Sequence, residues 1–118
     1  MASRLDKITQ SVKKELSDII QNELKDPRIP ELVSVVAVNV TGDLREATCY
    51  VSVFGTEEEK TKCMEALTAA QGFIRKELGT RISIRHTPKV TFKRDDSMEY
   101  GAHMNQLFKK INQEKADN

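Results

Sequence analysis

Ala70-Gln71-Gly72-Phe73-Ile74-Arg75-Lys76-Glu77-Leu78-Gly79 reads as a helix with a glycine inside it, and the residues that follow alternate. Even positions run Ile82, Ile84, His86, Pro88, Val90, Phe92, and odd positions run Arg81, Ser83, Arg85, Thr87, Lys89, Thr91, Lys93. A period of two predicts a strand with one apolar face and one polar face that carries a cation at every second position. Pro88 cannot donate to a ladder, which places that strand at a sheet edge or at a bulge. Gly72 costs a helix about 1 kcal/mol relative to alanine, so a kink or a close approach is expected there. Gly79 suits the left-handed position that ends a helix.

Upstream, Thr56-Glu57-Glu58-Glu59 is a capping box with its acids at the positive helix end. Met64, Leu67, Phe73, Ile74 and Leu78 supply the apolar contacts of the kinked helix that follows. Leu32 to Val40 holds five valines in nine residues, which predicts a strand apolar on both faces. Thr41-Gly42-Asp43-Leu44 turns the chain into a second strand, in which Ala47, Cys49, Val51 and Val53 alternate with Thr48, Tyr50, Ser52 and Phe54. Leu5, Ile8, Val12, Leu16, Ile19 and Ile20 mark an amphipathic first helix from Ser3 to Leu24, capped by Ser3 with Asp6 in its first turn. Asp26-Pro27-Arg28 ends it. A last helix is expected from Asp96-Ser97, with Met104, Leu107, Phe108 and Ile111 on its apolar side, and 113–118 as a short flexible tail.

These elements make an α+β chain with a three-stranded sheet, helices packed on one face, and the other face open and basic along the third strand. At 118 residues there is material for one core, so 1–112 is expected to be a single domain. No apolar run approaches the roughly 18 residues of a membrane span, and Met1 to Lys7 has no signal-peptide h-region, which predicts a cytoplasmic protein with no membrane partner. Cys49 and Cys63 fall on core faces and are expected as reduced thiols. They form no metal-ligand spacing with His86 and His103, so no metal and no cofactor is expected.

No nucleophile elbow or phosphate loop is present, and the acid clusters Glu57-Glu58-Glu59 and Asp95-Asp96 are explained by helix capping, so no enzyme activity is expected. His86, on the apolar face of the third strand, is expected as a structural histidine, and His103 as a solvated one. Charge is the remaining signal. From Arg75 to Arg94 there are seven Lys/Arg and one acid, Glu77, a net of +6 in a chain whose total is +1. Self-repelling charge of this kind is stabilised by an anionic polymer. Arg75, Lys76, Arg81, Arg85, Lys89, Lys93 and Arg94 are the candidate phosphate contacts, with Arg4, Lys7, Lys13 and Lys14 of the first helix as a secondary basic group diluted by acids. Only Tyr50 and Phe54 project to the open face, so recognition by backbone and shape is favoured over base stacking.

Asp26-Pro27-Arg28, Asp43-Leu44 with Ala47, Tyr50-Val51-Ser52-Val53, Gly72 to Gly79, Arg85-His86-Thr87-Pro88 and Asp95 to Glu99 stand in the order of the bacterial ribosome-binding factor A family, which the chain resembles from about residue 4 to 112. The resemblance implies a type II KH-like fold in which an Ala-x-Gly kink, here Ala70-Gln71-Gly72, replaces the usual Gly-x-x-Gly loop. It implies a cytoplasmic assembly factor that binds the small (30S) ribosomal subunit during late 16S rRNA maturation near the 5′ end and supports growth in the cold. Ribosome-maturation GTPases are implied as cooperating partners, and a monomer is expected. Many relatives carry Pro-Glu-Leu where this chain has Pro88-Lys89-Val90, which adds a cation to the expected RNA face. The alternatives are a protein-docking adaptor built on the first and last helices, and an RNA-processing enzyme.

Overall fold

A computed structural model describes residues 3–30 and 33–96. The expected last helix and the 113–118 tail lie outside the described residues. Helix α1 (Arg4–Asp18) opens with a capping box: the Ser3 hydroxyl accepts from Asp6 N–H at 3.1 Å and Asp6 Oδ2 accepts from Ser3 N–H at 3.2 Å. It continues as a π-helical turn, Ile19–Glu23, closed by Leu24 N–H on the Ile19 carbonyl at 3.2 Å. The wider turn lets the adjacent Ile19 and Ile20 both reach the core with Val12 and Leu16.

Strands β1 (Val33–Val40) and β2 (Glu46–Val53) form the expected antiparallel hairpin. Val33 and Val35 pair with Val53 and Val51, and then the register shifts so that Val38 pairs with Cys49 and Val40 with Ala47. Val36 is the extra residue of a β-bulge. Paired side chains share a sheet face, so the bulge gathers Val33, Val35, Val38 and Val40 on the core side and leaves Ser34, Ala37 and Asn39 exposed. The valines at both parities therefore report a bulge, and the expectation of two buried faces is corrected.

Thr56 and Glu59 form the expected capping box of α2 (Glu57–Ala69), with bonds of 3.1 and 3.2 Å. A break at Ala70 separates α2 from α3 (Gln71–Arg81), and β3 (Lys89–Arg94) then joins β2 in parallel, giving the order β1-β2-β3. β3 is an edge strand that begins directly after Pro88. One core of helix residues (Leu16, Cys63, Leu67, Ile74, Leu78) and strand residues (Ala47, Cys49, Val51, Val90) lies between the sheet and the helices. The result is α+β with a mixed three-stranded sheet, and its element order agrees with the KH-like expectation. Among the described residues, no helix is long and apolar enough to cross a membrane.

Candidate nucleic-acid interface

The kink is made by Ala70, whose φ of −90° and ψ of 5° break the helix while its carbonyl accepts from Ile74 N–H at 2.9 Å. Gln71, the first residue of α3, donates its side-chain Nε2–H to the Val90 carbonyl at 2.9 Å and so pins the kink to β3. Gly72 is exposed one position later, and a Cβ there would meet nothing within 4 Å among the described residues. The close approach belongs to Gly79. It lies inside α3 and does not end it, and a Cβ there would sit 2.8 Å from Thr87 Oγ1. Ile74 and Leu78 face the core as expected, whereas Phe73 is 45% exposed beside the kink.

The third strand is shorter than its alternation predicts. α3 runs on through Arg81, and residues 82–88 form a connection without strand structure. The physical reason is a missing partner. Lys89 pairs with Glu46, the first residue of β2, so nothing of β2 remains to pair with 82–88, and Pro88 lacks a donor. An apolar/polar period does not make a strand where no ladder is available. His86 leaves the apolar face it was assigned and is exposed in this loop, while Pro88 is buried. Arg75 Nε and Nη2 donate to the Thr87 carbonyl at 3.2 and 3.0 Å and tie the loop to α3.

The candidate cations therefore do not share one strand face. Lys89 and Lys93 do, with Thr91 between them, exposed on the side away from the helices. Arg85 is exposed in the loop, and Arg75 and Lys76 are exposed on α3. Arg81 turns inward to an acidic hub: Nη1 donates to Glu15 Oε2 at 3.1 Å and to Asp18 Oδ2 at 2.5 Å, Nη2 to Glu23 Oε1 at 3.4 Å, and Nε lies 3.9 Å from Glu77. This guanidinium holds the Asp18 carboxyl below its ordinary pKa. Arg94, on the helix side of β3, donates to Glu57 and Asp96, each at 2.8 Å, and both carboxylates raise its pKa. Arg81 and Arg94 are thus neutralised within the fold, while Arg75, Lys76, Arg85, Lys89 and Lys93 have no carboxylate partner among the described residues.

The secondary group is separate. Lys13 and Lys14 line a 490 Å³ concavity with Gln10, Ser17, Asp18, Gln21 and Val35, on the β1 side of the sheet, and Arg4 and Lys7 are exposed nearer the start of α1. One further cation joins the basic loop. Arg45, in the turn just before β2, lines a 330 Å³ cleft with Arg75, His86 and Thr87. Flanked by Asp43 and Glu46, it adds nothing to a local count of charge; only strand pairing brings it to the basic loop. Cys49 and Cys63 are free and buried, and burial pushes their thiols up to about 12 and about 11. Among the described residues no group of three or more His, Cys, Asp or Glu could hold a metal.

The family model for ribosome-binding factor A matches residues 4–108. A ribosome-binding factor A from Acetivibrio thermocellus is 51% identical over 115 residues, covering 98% of this chain and 91% of that one. The crystal structure of ribosome-binding factor A from Thermus thermophilus superimposes with a TM-score of 0.68 at 29% identity, over 76% of this chain and 93% of that one. A Thermus thermophilus homology model fitted into the cryo-electron microscopy map of a 30S–RbfA complex gives 0.64 at 29% identity, over the same shares of the two chains.

Proposed function

Because the chain belongs to the ribosome-binding factor A family, we propose that it binds the small ribosomal subunit and holds 16S rRNA through its phosphate backbone, without catalysing a reaction. The observation that carries this reading is the group of exposed cations on α3, the following loop and β3, unneutralised by carboxylates among the described residues. A fold shared with a protein fitted into a 30S complex supports the same partner. Lys76, Arg85, Lys89 and Lys93 are the foremost contacts and Arg75 a contact fixed by its backbone bonds. Arg81 and Arg94 act chiefly by holding the helices in place around them. Lys13 and Lys14, with Arg4 and Lys7, form a second contact region. The KH-like domain spans 1–112, with the Ala70–Gly72 kink in the place of the nucleic-acid-binding loop.

The factor acts as a cytoplasmic monomer during late maturation of 16S rRNA, at its 5′ end, sustains growth in the cold, and cooperates with maturation GTPases. Cosedimentation with small subunits tests the interface. Lys76→Glu, Lys89→Glu and Lys93→Glu together should abolish binding, and wild-type affinity should fall with salt at a log-log slope of roughly 0.7 to 0.9 per phosphate contacted. Binding that is indifferent to both salt and charge reversal overturns the phosphate reading. Depletion in the cold should accumulate 16S precursor with an immature 5′ end.

A further inference from the structure

The cleft at the mouth of the 82–88 loop carries two residues that no local charge pattern selects, Arg45 and His86. Its lining, Arg45, Arg75, His86 and Thr87, contains no carboxylate. Each wall is set by backbone. The Arg45 carbonyl accepts from Lys89 N–H at 2.8 Å, and its own N–H donates to Asp43 Oδ1 at 3.1 Å. Arg75 is oriented by the Thr87 carbonyl through Nε and Nη2, which leaves its remaining N–H donors for a ligand. Gly79 keeps Thr87 seated close to α3, so His86 and Thr87 hang from a loop clamped on both sides. A second concavity, lined by Gln71, Gly72, Arg75, Lys89 and Val90, shares Arg75 with the first. Gly72 offers bare backbone there.

We propose that the Arg45–Arg75–His86 cleft is a phosphate subsite, seating one phosphodiester of a single RNA strand whose next phosphate lies over Lys89 and Gly72. The proposal rests on the RNA-binding reading above and adds Arg45 and His86 as contacts. Planar guanidinium groups on two separate segments match a tetrahedral anion, and His86 on the loop adds a third polar wall. Single-stranded RNA fits better than duplex here, because two concavities that share Arg75 offer seats for successive phosphates of one backbone.

The test uses the full chain with a short single-stranded oligouridylate and, separately, inorganic phosphate, followed by amide chemical shifts and by affinity at several salt concentrations. Arg45→Gln with His86→Asn should weaken the oligonucleotide about tenfold, as expected for lost bonds to a charged group, and lower the salt slope by about 0.7. The shifts on binding should centre on residues 45, 75, 86 and 87. Both residues are exposed, and an unchanged melting temperature of the double variant shows that the fold is kept. If that variant keeps wild-type affinity and slope while Lys76→Gln with Lys89→Gln and Lys93→Gln loses them, the subsite is wrong and the broader reading stands. If neither set loses affinity, both fall. Saturation by inorganic phosphate with no response to the oligonucleotide assigns the cleft to free phosphate and overturns the backbone proposal.

Discussion

Neighbouring residues on α3 have opposite fates. Ile74 is wholly buried among core side chains, while Phe73 is 45% exposed. Ile74→Ala should cost about 2–5 kcal/mol in urea unfolding and Phe73→Ala about 1 or less. A loss at Phe73 as large as that at Ile74 would show that its side chain is not exposed in solution. Arg81 and Lys89 make a parallel contrast among the cations. Arg81→Ala removes the partner of Glu15, Asp18 and Glu23 and should lower the melting temperature with little change in RNA salt slope. Lys89→Ala should leave stability within about 0.5 kcal/mol and lower the slope. Thiols give a third residue-level outcome. Cys49 and Cys63, pushed up to about 12 and about 11 by burial, should resist alkylation at pH 8 in the native protein and react promptly in urea.

Between elements, α3 lies close against the 82–88 loop at Gly79. Alanine at position 79 gains up to about 1 kcal/mol of helix propensity but meets Thr87 Oγ1 at 2.8 Å. Gly79→Ala should therefore stabilise a Thr87→Ala background, where the oxygen is gone, more than the wild type. A double-mutant cycle should show coupling of at least about 0.5 kcal/mol, and additive changes would mean that the loop yields freely. The Gly55 turn before α2 has φ of +152°, and a Cβ there would press on Glu59 at 3.2 Å, so Gly55→Ala should strain the turn and weaken the capping box together. Elements differed in how well periodicity revealed them. The Ser3 and Thr56 caps were legible because capping is local. The β1 bulge was not, since Val33 to Val40 shows the same valines whether they face two ways or one. The strand read over 82–88 failed because alternation states a preference, and a ladder needs a partner.

Across the whole molecule, surface carboxylates tie the fold to pH. Arg81 lowers the pKa of Asp18, Arg28 that of Asp26, the Thr41 hydroxyl that of Asp43, and Arg94 that of Asp96. Folded values below the unfolded one mean that these groups stabilise the protein above about pH 4 and that the contribution is lost as pH falls through the folded values. The buried thiols act at the other end: raised in the fold, they favour it below about pH 9 and lose that contribution as pH climbs toward 11 and 12. Urea midpoints should be flat near neutrality and fall in both directions; a midpoint unchanged at pH 3 would show that the ion pairs carry little. The α+β class, the caps, the core faces of the first helix and of β2, and the excess of positive charge are all written in the order of residues, because each follows from spacing within one element. That order did not determine which cations face solvent. That choice belonged to the tertiary structure, which sent Arg81 to Glu15, Asp18 and Glu23, sent Arg94 to Glu57 at the start of α2, and drew Arg45 and His86 to Arg75. Those pairings join residues distant along the chain, and only the packing of helices on the sheet brings them within hydrogen-bonding distance or into one cleft.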